Sequence, residues 1–154
     1  MRKYVLPMFC LLVLAMGEQH GPAQVALLGG NHVTDVPGLI TAGLDAYKAK
    51  GPEEAIRVWV RNGPLDGDKD AMSQANMLRQ VQDWYGAYQS YDVITGRDLT
   101  QRVKIIYMVM NFEKGPLFAK FVCYRSDREW TVTNFVLNTK EMVVLPTDVM
   151  LTGQ

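Results

Sequence analysis

If this sequence does acid/base chemistry, the work falls to carboxylates. Asp83 and Asp92 stand on either side of the passage from helical to strand-like periodicity. A catalytic carboxylate must sit inside a pocket with a shifted pKa. The plainer reading makes Asp83 a solvated helix residue and Asp92 a strand-face or turn residue. Other chemistries lack their residues: there is no glycine-rich phosphate loop, no serine nucleophile elbow and no Cys/His spacing that would hold a metal. Both histidines, His20 and His32, lie near the start of the chain, so a His-dependent triad is not expected, and neither a metal nor a cofactor is called for.

Recognition by shape is the second chemistry the residues suggest. Trp84, Tyr88, Met108, Met110, Phe121 and Trp130 would line an apolar cavity, with Asn134 as the convergent polar group. Aromatic and methionine stripes also make filled hydrophobic cores, which is the competing reading. Tyr91, Tyr107 and Tyr124 could stack on bases, but 16 basic residues are balanced by 16 acidic ones, and no nucleic-acid partner is expected.

The elements that would position these residues follow an address label. Met1-Arg2-Lys3 and the apolar run from Tyr4 to Met16 have the basic and apolar regions of a secretory signal peptide. Ala15-Met16-Gly17 supplies the small residues for cleavage before Glu18. The run falls short of the roughly 20 residues that cross a bilayer, and Pro7 interrupts it, so no stable membrane span is expected after cleavage. Cys10 sits inside the run rather than closing it behind small residues, which argues against a lipoprotein. The expected mature chain has 137 residues, with 14 basic and 16 acidic, and an exported destination, periplasmic or extracellular. Cys123 is then its only cysteine, so no intrachain disulfide can form; in a strand-like apolar segment it reads as a small buried hydrophobe.

Residues 18–36 carry Gly21, Pro22, Gly29, Gly30 and Asn31 with little apolar period and read as a flexible leader. One domain over 37–154 follows. A first helix is predicted over 37–50. A second starts at Pro52, with Glu53 and Glu54 in its first turn and Ile56, Trp59 and Val60 on its apolar face. Asn62-Gly63-Pro64 ends it. The third begins at Asp68 or Asp70 as N-cap and runs to about Tyr85; Leu78, Val81, Tyr85 and Tyr88, widened by Met77 and Trp84, give it a broad aromatic face.

After Ala87 the period falls to two and the residues become β-branched and aromatic. Strands are predicted near 90–95, 103–112, 117–124 and 130–138, with turns at Gly96-Arg97-Asp98, Lys114-Gly115-Pro116 and Ser126-Asp127-Arg128. Connections this short make the neighbours antiparallel. Residues 142–145 are a candidate fifth, edge strand.

A two-residue turn at Lys114-Gly115 would set Phe112 against Leu117 and put Ile106, Met108, Met110, Ala119, Phe121 and Cys123 on one face. Carried through the last turn, the alternation adds Trp130, Val132 and Asn134, and the helices must cover that face. The opposite face would hold Tyr107, Val109, Asn111, Phe118, Lys120, Val122, Tyr124, Thr131, Thr133 and Phe135. It is too apolar for plain solvent, and a homodimer through it is expected.

Helices followed by a curved antiparallel meander, with Gly115-Pro116-Leu117-Phe118 in a hairpin and Trp130-Thr131-Val132 in a strand, resemble the nuclear-transport-factor-2-like (SnoaL-like) superfamily over about residues 37–145. The resemblance implies an α+β cone, N-terminal helices packed on a curved sheet of four or five strands, often dimeric. Its members run from isomerases and dehydratases to non-catalytic accessory domains. The isomerase type implies an Asp/Tyr pair, here Asp83 or Asp92 with Tyr85, Tyr88 or Tyr107. The function expected first is an exported, non-catalytic binding or interaction domain with an apolar pocket, its partner an apolar small molecule or an envelope protein. The alternative is a small pocket enzyme, an isomerase or dehydratase. A third class, a protease-inhibitor-like or adhesive module, would need an uncovered sheet edge.

Overall fold

Helix α1, Gly38–Lys50, is the first element among the described residues of the computed structural model, which describes residues 35–127 and 129–151. The signal read over 1–17, its cleavage point, and the leader with His20 and His32 as far as residue 34 lie outside the described residues. Three helices, α1, α2 (Pro52–Val60) and α3 (Lys69–Tyr85), precede four strands: β1 (Tyr88–Thr100), β2 (Val103–Phe112), β3 (Pro116–Arg125) and β4 (Trp130–Asn138). The protein is α+β, and its strands form one antiparallel sheet in sequential order, β1-β2-β3-β4.

Local chemistry sets the helix ends. Pro52 takes the first turn of α2, where its missing N–H costs nothing, and Glu53 and Glu54 face the positive end of the helix. The Asp68 carboxylate accepts the backbone N–H groups of Asp70 and Ala71 at 2.7 and 2.9 Å and caps α3. Gly86 ends that helix at φ 83°, a left-handed conformation that favours glycine, and donates its N–H to Gln82.

The helical layer packs on one side of the sheet through a continuous core. Ile40, Leu44, Ile56, Trp59, Leu78 and Val81 meet Ile106, Met108, Met110, Leu117, Ala119, Phe121 and Cys123. Trp59 is the centre of this layer. Its indole N–H donates to the Ile40 carbonyl at 3.0 Å, and its ring lies 5.0 Å from Phe121 and 6.2 Å from Phe135. Gly43 makes the approach possible, because a β-carbon there would occupy the space of the Trp59 indole.

Four sequence expectations are corrected here. The β2–β3 turn is longer than two residues: Met110, not Phe112, stands opposite Leu117. Because the register moved by two, every side chain keeps its face. The β3–β4 ladder carries a bulge: Val122 opposes Asn134 while Cys123 opposes Val132, leaving Thr133 as the extra residue on β4. Beyond it the faces exchange. Phe135 turns into the core opposite Phe121, and Asn134 turns outward and is exposed. The first turn falls at Gln101-Arg102 rather than at Gly96-Arg97-Asp98, which continue β1 opposite Ile106, Ile105 and Lys104. Finally, residues 142–145 form no edge strand: Glu141–Val144 is a short helix, α4, packed on β3 and β4, with a second short helix, α5 (Thr147–Leu151), after Pro146.

β1 is the irregular strand. Three register shifts against β2 leave Gln89, Ile94 and Leu99 as extra residues, so the strand bends and twists along its 13 residues. Asp148 of α5 pairs with Arg97 of β1, opposite Ile105 on the side away from α1–α3, so the C-terminal segment is tied to that side.

Candidate functional site

The residues expected to enclose a cavity do not surround one space. Met108, Met110 and Phe121 are fully buried and fill the core, Phe121 stacking on Phe135 at 6.2 Å. Trp84 is 64% exposed on the outer side of α3 and does not join the core cluster. Tyr88 packs edge-on between Tyr47 at 5.3 Å and Phe112 at 5.8 Å. Trp130 is half-buried at the far end of the sheet, with Lys104 Nζ and the Arg125 guanidinium each 5.4 Å from its ring centroid. Asn134 is turned outward by the Thr133 bulge.

Three surface clefts each take one of the seven. A cleft of about 380 Å³ lies among Arg102, Arg125, Asp127, Glu129 and Trp130, but it is laced by its own ion pair, Arg102 to Asp127 at 2.8 Å. A second, about 230 Å³, runs between the start of α3 and Asn134-Phe135. The third, about 210 Å³, is bounded by Tyr47, Lys48, Gln82 and Tyr88. In it the Tyr47 hydroxyl donates to the Gln82 side chain at 3.1 Å. Burial, and then the neighbouring phenol of Tyr88, pushes the Tyr47 pKa up to about 12. Tyr88 is likewise pushed up to about 12 by burial, then by Tyr91 and Asp45. Both phenols are therefore protonated at neutral pH and can only donate or accept hydrogen bonds.

The carboxylates read as acid/base candidates are on the surface. Asp83 is exposed on α3, and Asp92 is exposed on β1, where it accepts the Asn111 amide N–H at 2.7 Å. Tyr107 is buried on the outer side of β2, and Tyr85 is partly buried against the core. Cys123 is buried, and burial pushes its thiol up to about 12, partly offset by Lys104. Among the described residues no group of His, Cys, Asp and Glu could hold a metal, and no helix is long and apolar enough to cross a membrane.

Lys104 is a buried charged group that sequence reading passed over. It lies at an inward position of β2, 6% exposed, with its Nζ 2.9 Å from the Asp35 carbonyl and 3.5 Å from the Asp98 carboxylate. A lysine in phase with Ile106 and Met108 was a visible signal: such a charge must find partners if the alternation holds.

On the side away from α1–α3, to which the Arg97–Asp148 pair ties α5, the sheet presents a different surface. Ile105, Val109, Phe118, Val122 and Val136 point outward from β2, β3 and β4, each half-buried, beside exposed Tyr124. An antiparallel sheet facing water alternates apolar-in with polar-out. These positions do not follow that rule.

No protein family and no curated protein matches the chain. Among solved structures, a domain of unknown function with a cystatin-like fold from Nostoc punctiforme is similar at 13% identity and a TM-score of 0.47, over 75% of this chain and 79% of that one.

Proposed function

We propose that this protein is an exported, non-catalytic interaction domain of the nuclear-transport-factor-2-like type that works as a homodimer through the outer face of its sheet. One observation carries the reading: Ile105, Val109, Phe118, Val122 and Val136 are aliphatic or aromatic where a solvated sheet face would be polar. The basic and apolar start of the chain supports export to the periplasm or beyond. Surface recognition is favoured over a buried ligand because the inward methionines and Phe121 are packed against Trp59 and its neighbours. It is favoured over acid/base catalysis because Asp83 and Asp92 are solvated carboxylates outside any apolar cleft.

Sedimentation velocity of the exported chain tests this. The native protein is expected to sediment as a dimer at micromolar concentration. Val109→Lys and Val122→Lys, which place charges in the face, are expected to give folded monomers with circular dichroism like the parent. A native monomer, or variants that remain dimeric, would refute the outer face as the interface.

A further inference from the structure

Two buried residues lie outside the core. Tyr107, on the outer side of β2, is 8% exposed, and Val144 of α4 is 5% exposed, yet neither belongs to the cluster that fills the helix side of the sheet. Ile105 and Val109, which flank Tyr107 on the same side of the strand, are only half-buried. The phenol is therefore shielded from the outer side by more than the sheet itself.

The C-terminal segment is placed to shield it. The chain leaves β4 at Asn138, opposite Phe118, and α4 then packs on β3 and β4. Further on, Asp148 of α5 pairs with Arg97, which stands on the outer side of β1 opposite Ile105. β4 and β1 are the two edges of the sheet, so the segment passes from one edge to the other, three strand spacings or about 14 Å. Across the sheet, Thr95, Tyr107, Lys120 and Val136 form the row between these two anchor points, with Val109, Phe118 and Asn138 on one side of it and Arg97, Ile105 and Val122 on the other.

Little holds the segment there. α4 and α5 have four and five residues, too few to be stable helices by themselves. Val144 is the only buried residue from 139 to 151, and Met142, Val143 and Leu151 are exposed. Both members of the Arg97–Asp148 pair are exposed as well, and ion pairs of that kind contribute little. A segment with so few buried contacts opens at low cost.

We infer that the α4–α5 segment is a releasable strap over the outer face of the sheet, and that its release bares the surface on which a second copy docks. Strap or second copy can cover that face, but not both. Release of the strap does not depend on the homodimer proposed above; competition with a second copy rests on it.

Hydroxyl-radical footprinting and sedimentation of the full chain test release and competition separately. Asp148→Lys sets two positive charges together at the anchor and touches no buried group. At nanomolar concentration, where the chains are apart, it is expected to raise Tyr107 oxidation about twofold or more, while Tyr47, buried on the helix side, is unchanged. Val144→Asp is expected to do the same by removing the buried contact, and combining Arg97→Asp with Asp148→Arg, which restores the pair, to return Tyr107 to the parent's value. Tyr107 oxidation unchanged in both single variants would overturn the strap. The dimer dissociation constant of Asp148→Lys is expected to fall about fivefold below the parent's. A constant unchanged or raised, with Tyr107 opened, would overturn the competition. Absence of a dimer in parent and variants alike would overturn the homodimer and the competition with it, while Tyr107 oxidation still decides the strap.

Discussion

Trp59 and Trp84 are the same residue in opposite surroundings. Trp59 is fully buried, bonded to the Ile40 carbonyl and packed on Phe121, while Trp84 is 64% exposed. Trp59→Ala is expected to cost about 3–5 kcal/mol in urea unfolding, and Trp84→Ala to stay within about 0.5 kcal/mol. Aromatic type alone suggested burial for both. Helical geometry separates them: Ala71, Ala75, Leu78 and Val81 define the buried stripe of α3, and Trp84 lies roughly a third of a turn off its centre. The two buried-ring tyrosines give a pH signature. Tyr47 and Tyr88 rise from the ordinary value of 10.0 to about 12, so folding favours their neutral forms. That contribution is complete below pH 10 and is lost as pH rises from 10 to 12. Absorbance titration at alkaline pH is expected to show two phenols ionising near pH 12, in step with loss of stability.

At the level of elements, the helices were legible because their ends are written in short-range chemistry: Pro52 at a first turn, Asp68 as cap, Gly86 as exit. The strand faces of β2 and β3 were legible for a similar reason, since alternation survives an even shift in register. Bulges leave no such mark. Thr133 looks like any strand residue, yet as the extra residue on β4 it reverses Asn134 and Phe135. Gly96-Arg97-Asp98 has turn composition, but the strand runs on through it, with Gly96 buried opposite Ile106 and Asp98 opposite Lys104. The α1–α2 contact offers a direct test of the helical layer. Gly43→Ala puts a methyl group into the Trp59 indole and is expected to destabilise by about 1–3 kcal/mol in urea unfolding, although alanine is the better helix former.

On the scale of the whole molecule, Met108, Met110 and Phe121, taken as a pocket lining, belong to the core, and the outer side of the sheet is the surface on which the proposed function rests. Composition could not tell lining from filling, because methionine and phenylalanine serve both; the choice was made by Trp59 reaching across from α2 to close the space over Phe121. The outer side, with Ile105, Val109, Phe118, Val122 and Val136, was legible from alternation alone, apart from the part of β4 beyond its bulge. What the α4–α5 segment does was not, since Met142 to Leu145 is as apolar as a strand and Pro146 only limits how it ends. The measurement that bears most directly on the account is native mass spectrometry of the chain purified from its own host. A dimer free of small molecules is the predicted result, and a chain that retains a stoichiometric small molecule released on denaturation would contradict it.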